Sequence, residues 1–299
     1  MERLIKIGKI KPRKASEIKN SRIGIGFEKL DRKVFNPEKA YDKLAMIGAK
    51  WVRIQSGWER TEQEKGVYDF EWLDSIVDNL LERGLVPWIN LAYGNGLYDD
   101  DAAKVFGAVG CPPVKSEEAK KGWADYITAL AAHMKGRISY YEVWNEPDGE
   151  WCWKHGPNGK EYGQFVVDTS VALKKGDSSA KVIGGAICMA KPLDFAYDAF
   201  SVGMGEHIDA ISFHEYVIDE TVVFRHVKAL RGLCNRFNPN IEIIQGESGS
   251  QSRSDGRGAM RKGAWTPHKQ AKQLLRHLMA DLMTEVKFTS YFLKTGTTS

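Results

Sequence analysis

The chain has 299 residues, a formal net charge of +4, 42% hydrophobic and 27% charged residues. That balance excludes a disordered chain, and so small a positive surplus, with no accompanying motif, gives no footing for a nucleic-acid partner. No run approaches the roughly 20 apolar residues of a membrane helix, and the basic start "MERLIKIGKIKPRKASEIKN" lacks the apolar centre of a signal peptide. A cytoplasmic chain without membrane contact is therefore expected, unless a leader was removed before residue 1.

Residues 1–20 read as an N-terminal extension to a single domain that takes up the rest of 1–299, since no linker-like stretch divides it. The first strand is "RIGIGFE" (22–28), followed by a helix over 36–48 with Asn36 as cap, Pro37 at its first position and Gly48 as its stop. "KWVRIQ" is the second strand. The next helix, over 68–84, is capped by Asp69 and carries the apolar stripe Trp72, Leu73, Ile76, Val77, Leu80 and Leu81. Strand "LVPWINLAY" and helix 116–136 follow, then strand "YYEV", helix 160–176, strand "KVIGGAI", helix 193–203 and strand "IDAISFHEY". Helix 220–237, strand "IEIIQGE", helix 266–285 and strand "SYFLKT" complete the series.

Eight strands alternating with seven helices imply a parallel sheet with right-handed crossovers, and the number favours a closed (β/α)₈ TIM barrel over an open doubly wound sheet. The first strand is not followed by a glycine-rich phosphate loop. After the eighth strand only "GTTS" remains, so the last outer helix is expected to be missing: either the chain is truncated or the basic N-terminal segment covers the gap.

In such barrels, chemistry sits where strands end. Strand four runs out in Trp144, Asn145, Glu146 and Pro147, and strand seven ends at Glu247, so two carboxylates emerge on one face. That is the pair needed to cleave a glycosidic bond, one protonating the leaving oxygen and one attacking or activating water. A lone glutamate at a strand end is usually a surface residue or an ion-pairing group; two at matched positions favour the catalytic reading. The four cysteines (Cys111, Cys152, Cys188, Cys234) lie singly and read as free thiols, and no strand end shows a carboxylate/histidine cluster of metal-ligand type. No metal or cofactor is expected.

"VWNEP" on strand four and "IIQGES" on strand seven resemble the retaining glycoside hydrolases of clan A. The stretch from "GAKWVRIQSGWERTEQ" to "WINLAYGN" resembles the strand-two to strand-three region of its family 39 and family 5 type. The resemblance implies Glu146 as acid/base, with a raised pKa, and Glu247 as an ionised nucleophile, in an enzyme acting on an equatorial, mostly β-type, glycoside, oligosaccharide or polysaccharide. It also implies Asn145 on the sugar 2-hydroxyl, Arg53 against the nucleophile, and His214 and Tyr216 beside it; the strand period puts those last two on one side, with Glu215 opposite. The clan's tryptophan on strand eight has no counterpart after Trp265. A catalytically silent carbohydrate-binding barrel is the alternative.

Sugar rings stack on aromatic faces, so tryptophans are expected on the same rim. Trp58 follows strand two, Trp151 and Trp153 lie in "DGEWCWKHGPNG" after strand four, and Trp265 lies after strand seven, whereas Trp72 and Trp123 sit on helical stripes. Glu28 ends strand one, placed to bond a sugar hydroxyl or to pair with Arg53. Arg253, Arg257, Arg261 and Lys262 make the strand-seven loop basic, which reads as a solvated loop or as a rim for an acidic sugar.

Overall fold

The computed structural model describes residues 7–9, 11–188, 193–255 and 258–292. Its strands are β1 (Ile23–Gly26), β2 (Trp51–Gln55), β3 (Val86–Leu91), β4 (Tyr140–Val143), β5 (Lys181–Cys188), β6 (Ala210–Glu215), β7 (Glu242–Ser248) and β8 (Thr289–Phe292). Each pairs in parallel with the next, and β8 pairs with β1 from Ile23 opposite Thr289 to Gly26 opposite Phe292, which closes the barrel.

The helices among the described residues are α1 (Tyr41–Met46), α2 (Trp58–Thr61), α3 (Glu71–Glu82), α4 (Asp100–Ala103), α5 (Glu117–Met134), α6 (Gly159–Gly176), α7 (Asp194–Ser201), α8 (Met204–His207), α9 (Val222–Phe237) and α10 (Pro267–Leu282). Seven match the expected crossovers; α2, α4 and α8 are single turns too short to show a period. Two start signals act as read: Asn36 accepts the Glu38 N–H and Asp69 that of Glu71; Ser116 and Thr266 likewise accept a backbone N–H of the first turn of α5 and α10. The helix expected over 36–48 is split, with a 3₁₀ turn at Pro37–Lys39 leading into α1.

Ala15 is buried, and its carbonyl accepts a hydrogen bond from Lys50 Nζ, which also bonds the Gly84 carbonyl. These contacts of the N-terminal stretch are with the start of β2 and the α3–β3 turn. Residues 293–299, on which the expectation of a missing outer helix falls, lie outside those described.

Inside the barrel, the lower layer is apolar. Trp51, Trp88, Tyr140, Ile183, Ala210, Ile244 and Phe288 form a cluster of their own, with the Trp51 and Phe288 rings stacked at 4.3 Å. Two residues further along their strands the inward positions turn polar: Arg53, Asn90, Glu142 and Ser212, all fully buried. Inward residues alternate with outward ones that pack under the helices, so an aromatic plug carries a charged layer directly above it. No helix among the described residues is long and apolar enough to cross a membrane.

Between α10 and β8, Thr289 Oγ1 donates to Asp281 Oδ2 at 2.5 Å, while Asp281 Oδ1 has no partner among the described residues. Burial pushes the Asp281 carboxyl up to about 7, and burial pushes nearby His277 down to about 4. The ordinary aspartate value is 3.8, so between 3.8 and 7 the folded protein keeps a proton that the unfolded chain releases. Stability from this group is intact in acid and is lost as pH rises through that window. His277 acts in the opposite sense, losing stability as pH falls from 6.5 towards 4. Asp281→Asn is expected to be more stable than the parent at pH 8, by an upper limit of roughly 4 kcal/mol, with the gain nearly gone at pH 4. Urea denaturation midpoints at the two pH values test this.

Candidate active site

β4 ends with a change of side. Tyr140 and Glu142 face the barrel interior, but Trp144, which the strand period would also point inward, packs outward against Trp123, Trp153, Phe165 and Tyr93, with its indole N–H on the Cys152 carbonyl. This is possible because Trp144 adopts a left-handed backbone (φ 67°), as does Glu146 (φ 43°). Such conformations are costly for bulky residues and persist where packing over-determines them. Here the buried aromatic cluster holds Trp144, and the two reversals throw Asn145 and Glu146 over the charged layer.

Bulges in β5 and β7 complete the positioning. In β5 the register with β6 slips by one residue between Gly184 and Ile187, and the Ala186 carbonyl freed there accepts the Glu146 N–H at 3.0 Å. In β7 Gly246 is the extra residue: Gln245 lies opposite Phe213, and Glu247 opposite His214. A Cβ at Gly246 would stand 2.9 Å from Glu142 Oε1 and 3.2 Å from His214 Nε2, so only glycine lets β7 pass this close to the charged layer. His214 and Tyr216 do face the mouth together, and Glu215 turns outward to His226.

Arg53 binds the centre together. Its Nε and Nη2 donate to Glu142, Nη2 also to Asn145 Oδ1 at 2.9 Å, and Nη1 to Glu28 at 2.7 Å and Glu247 Oε2 at 3.0 Å. Every N–H of the guanidinium is used, and one cation faces three carboxylates. Burial, opposed by Arg53 and reinforced by Glu247, pushes the Glu28 carboxyl up to about 7. The other Glu247 oxygen accepts from the Tyr216 hydroxyl.

Glu146 departs from expectation. Burial raises its pKa, yet the hydrogen bond and charge of His214, together with hydrogen bonds from the Trp151 indole and Cys188, outweigh burial and hold the carboxyl below the ordinary glutamate value. His214 moves in the complementary direction: burial lowers its pKa, but Glu247 and the Glu146 hydrogen bond raise it further. Its Nδ1 lies 3.1 Å from Glu146 Oε1 and 3.9 Å from Glu247 Oε2. The raised pKa expected of an acid/base is therefore not a property of the free site, because three donors surround the carboxylate.

These groups line a cavity of about 1010 Å³ at the C-terminal mouth, large enough for more than one sugar ring, with Tyr93, Ile218, Met260 and Phe292 among its apolar walls. Glu28, Asn145, Glu146, Trp151, His214, Tyr216 and Glu247 line it directly, with Arg53 just beneath. Three expected tryptophans do not. Trp58 is fully buried in α2, stacked on Tyr98 and Tyr126; Trp153 is fully buried against Trp144 and Tyr162; Trp265 folds under its own loop with its N–H on the Met260 carbonyl. Each lies in a connection whose path turns its indole from the cavity, Trp58 and Trp153 into the core and Trp265 under its own loop, which its position after a strand does not reveal.

Arg261 and Lys262 line the cavity, Arg253 pairs with Asp255 in solvent, and Arg257 is outside the described residues. Sequence reasoning passed over Glu142, Asn90, Gln55 and Cys188 as parts of the site. The signal for Glu142 was a carboxylate inside an apolar strand, in phase with its inward neighbours. No carboxylate/histidine cluster was expected, and the fold makes one: Glu146, His214 and Glu247 each present an atom within 4.8 Å of the others. That spacing admits a metal ion, but the Arg53 guanidinium beside Glu247 opposes a second cation there.

The family model for "Glycosyl hydrolases family 39" matches residues 37–230. A protein named beta-xylosidase from Caldicellulosiruptor saccharolyticus is 30% identical over an alignment of 191 residues that covers 58% of this chain and 38% of that protein. Among solved structures, a GH39 beta-xylosidase from Caulobacter crescentus superposes with a TM-score of 0.69 at 20% identity, over 90% of this chain and 61% of that one. A family 39 glycoside hydrolase from Bacteroides cellulosilyticus WH2 superposes at 0.70 and 18% identity, over 91% and 56%. The matched part is well under half the length of the first relative and about three fifths of the Caulobacter structure.

Arg53→Met leaves Glu142 and Glu28 buried without a counter-charge, and a loss of about 3–5 kcal/mol in unfolding free energy is expected. Adding Glu142→Gln to that variant should recover part of it. A double mutant no more stable than the sum of the two single losses, read from urea denaturation, would refute the charge-layer account.

Proposed function

Since the chain belongs to glycosyl hydrolase family 39, we infer that it is a retaining glycosidase acting on an equatorial, β-type linkage, with Glu247 as nucleophile and Glu146 as acid/base. The observation that carries this reading is the approach of the two carboxylates. Each presents an oxygen within 4.8 Å of the other. So close an approach of oxygens supports the carboxyl spacing of retaining enzymes, roughly 5–5.5 Å, over the roughly 6.5–9.5 Å that leaves room for a water in inverting ones.

In the first half-reaction Glu247 attacks the anomeric carbon and the bond to the leaving oxygen breaks, that oxygen taking its proton from Glu146. In the second, Glu146 takes a proton from water, the resulting hydroxide equivalent attacks the same carbon, and the glycosyl–Glu247 ester is released as free sugar. Arg53 and Tyr216 hold the two oxygens of Glu247, so the attacking atom is oriented before substrate arrives. The amide of Asn145 is fixed by Arg53 through its oxygen, and its nitrogen donates to the Cys152 sulfur at 3.4 Å, a weak acceptor that a sugar 2-hydroxyl would replace. The name beta-xylosidase carried by the curated relatives makes β-linked xylosides the substrate class to test first.

A 2-fluoro β-xyloside with a good leaving group should leave a covalent adduct on the peptide containing Glu247, read by mass spectrometry. Glu146→Gln should slow hydrolysis of poor leaving groups by about 10²–10⁴-fold while sparing dinitrophenyl glycosides in the first step. Sugar binding without turnover on any glycoside would instead mean a silent barrel.

A further inference from the structure

The loop after β4 places one aromatic ring where the reaction needs open space. Trp151, on the cavity wall, is 52% exposed, and its indole N–H donates to Glu146 Oε2. The other oxygen, Oε1, already faces His214 Nδ1 at 3.1 Å. Oε1 is thus engaged by a fully buried histidine and Oε2 by an exposed indole, so Oε2 is the oxygen a leaving group can reach by displacing its partner. The ring lies against Gly149, where an added Cβ would stand 2.4 Å from its ring atoms, so the glycine is what allows this placement.

We propose that Trp151 is a positioning residue that holds Glu146 in its ionised resting form and is displaced from Oε2 when the leaving-group end of a glycoside enters, letting Glu146 take up the proton it then delivers. The inference rests on the acid/base reading of Glu146. The first proton comes from solvent through the open mouth and passes to the departing oxygen; the one Glu146 later takes from the attacking water returns to solvent as the ionised resting form is restored, so the cycle closes. The other groups facing Glu146 are His214 from β6, Cys188 from β5, Glu247 from β7, Cys152 in the loop below and Tyr216 after β6. The indole differs from all of them in being on the exposed rim, where a ligand can move it.

Two variants separate the indole from the fold. Trp151→Phe keeps a ring and removes the N–H; Gly149→Ala keeps the indole and pushes it off. For each, pH profiles of kcat and kcat/KM are measured on a poor and a good leaving group, with Glu146→Gln alongside. In the parent, the alkaline limb of kcat should lie above that of kcat/KM, because the first reports the complex and the second the free protein. In both variants the kcat/KM limb should move up by about one pH unit, closing that gap, and beyond both limbs the ratio of poor to good leaving-group kcat/KM should rise about tenfold. Unmoved limbs in both variants, or equal changes for the two leaving groups, overturn the proposal while leaving Glu146 as acid/base. If Glu146→Gln shows no leaving-group dependence, the acid/base assignment falls and this inference falls with it.

Discussion

One buried cation organises this barrel. Arg53 stands on the aromatic plug, its guanidinium 5.6 Å from the Trp88 ring, and reaches Glu28 just past β1, Glu142 and Asn145 on and after β4, and Glu247 on β7. A guanidinium suits this place because its planar fork can serve several oxygens at fixed angles, which a lysine ammonium cannot. Burying so many ionisable groups is unfavourable, and the cost is tolerable only while all of them remain together. The position of Glu247 is therefore tied to the integrity of the interior: what holds it also holds neighbouring strand ends in place.

The second constraint is in the backbone. Parallel strands with strict alternation would point Trp144 into the cavity and leave Glu146 without its place. Left-handed residues at 144 and 146, and extra residues in β5 and β7, re-aim the chain at the mouth. Each irregularity is anchored to another element: Trp144 to the aromatic cluster under α5 and α6, the Glu146 N–H to the β5 bulge, and Gly246 to the space beside Glu142 and His214. The site is thus assembled where the barrel departs from regularity.

Legibility in the sequence followed the same division. Periodic segments such as 68–84 and 116–136 announced themselves, because a 3.6-residue stripe and a capping side chain are local properties. The convergence of Glu146, Glu247, His214, Tyr216 and Arg53 was also readable, since strand ends of one barrel share a face. Burial of Trp58, Trp153 and Trp265 was not: whether a loop indole meets sugar, enters the core or folds under its own loop depends on the path of the connection. The lowered pKa of Glu146 was equally hidden, because it arises from donors on β5, β6 and the β4 loop that come together only in space.

The aromatic plug beneath the charged layer also decides how molecules travel. With Trp51, Trp88, Tyr140 and Phe288 filling the lower end, the chamber opens at the C-terminal mouth. In the proposed double displacement, whatever is cut loose leaves by that mouth before water takes its place, so a slow-departing fragment would delay its successor.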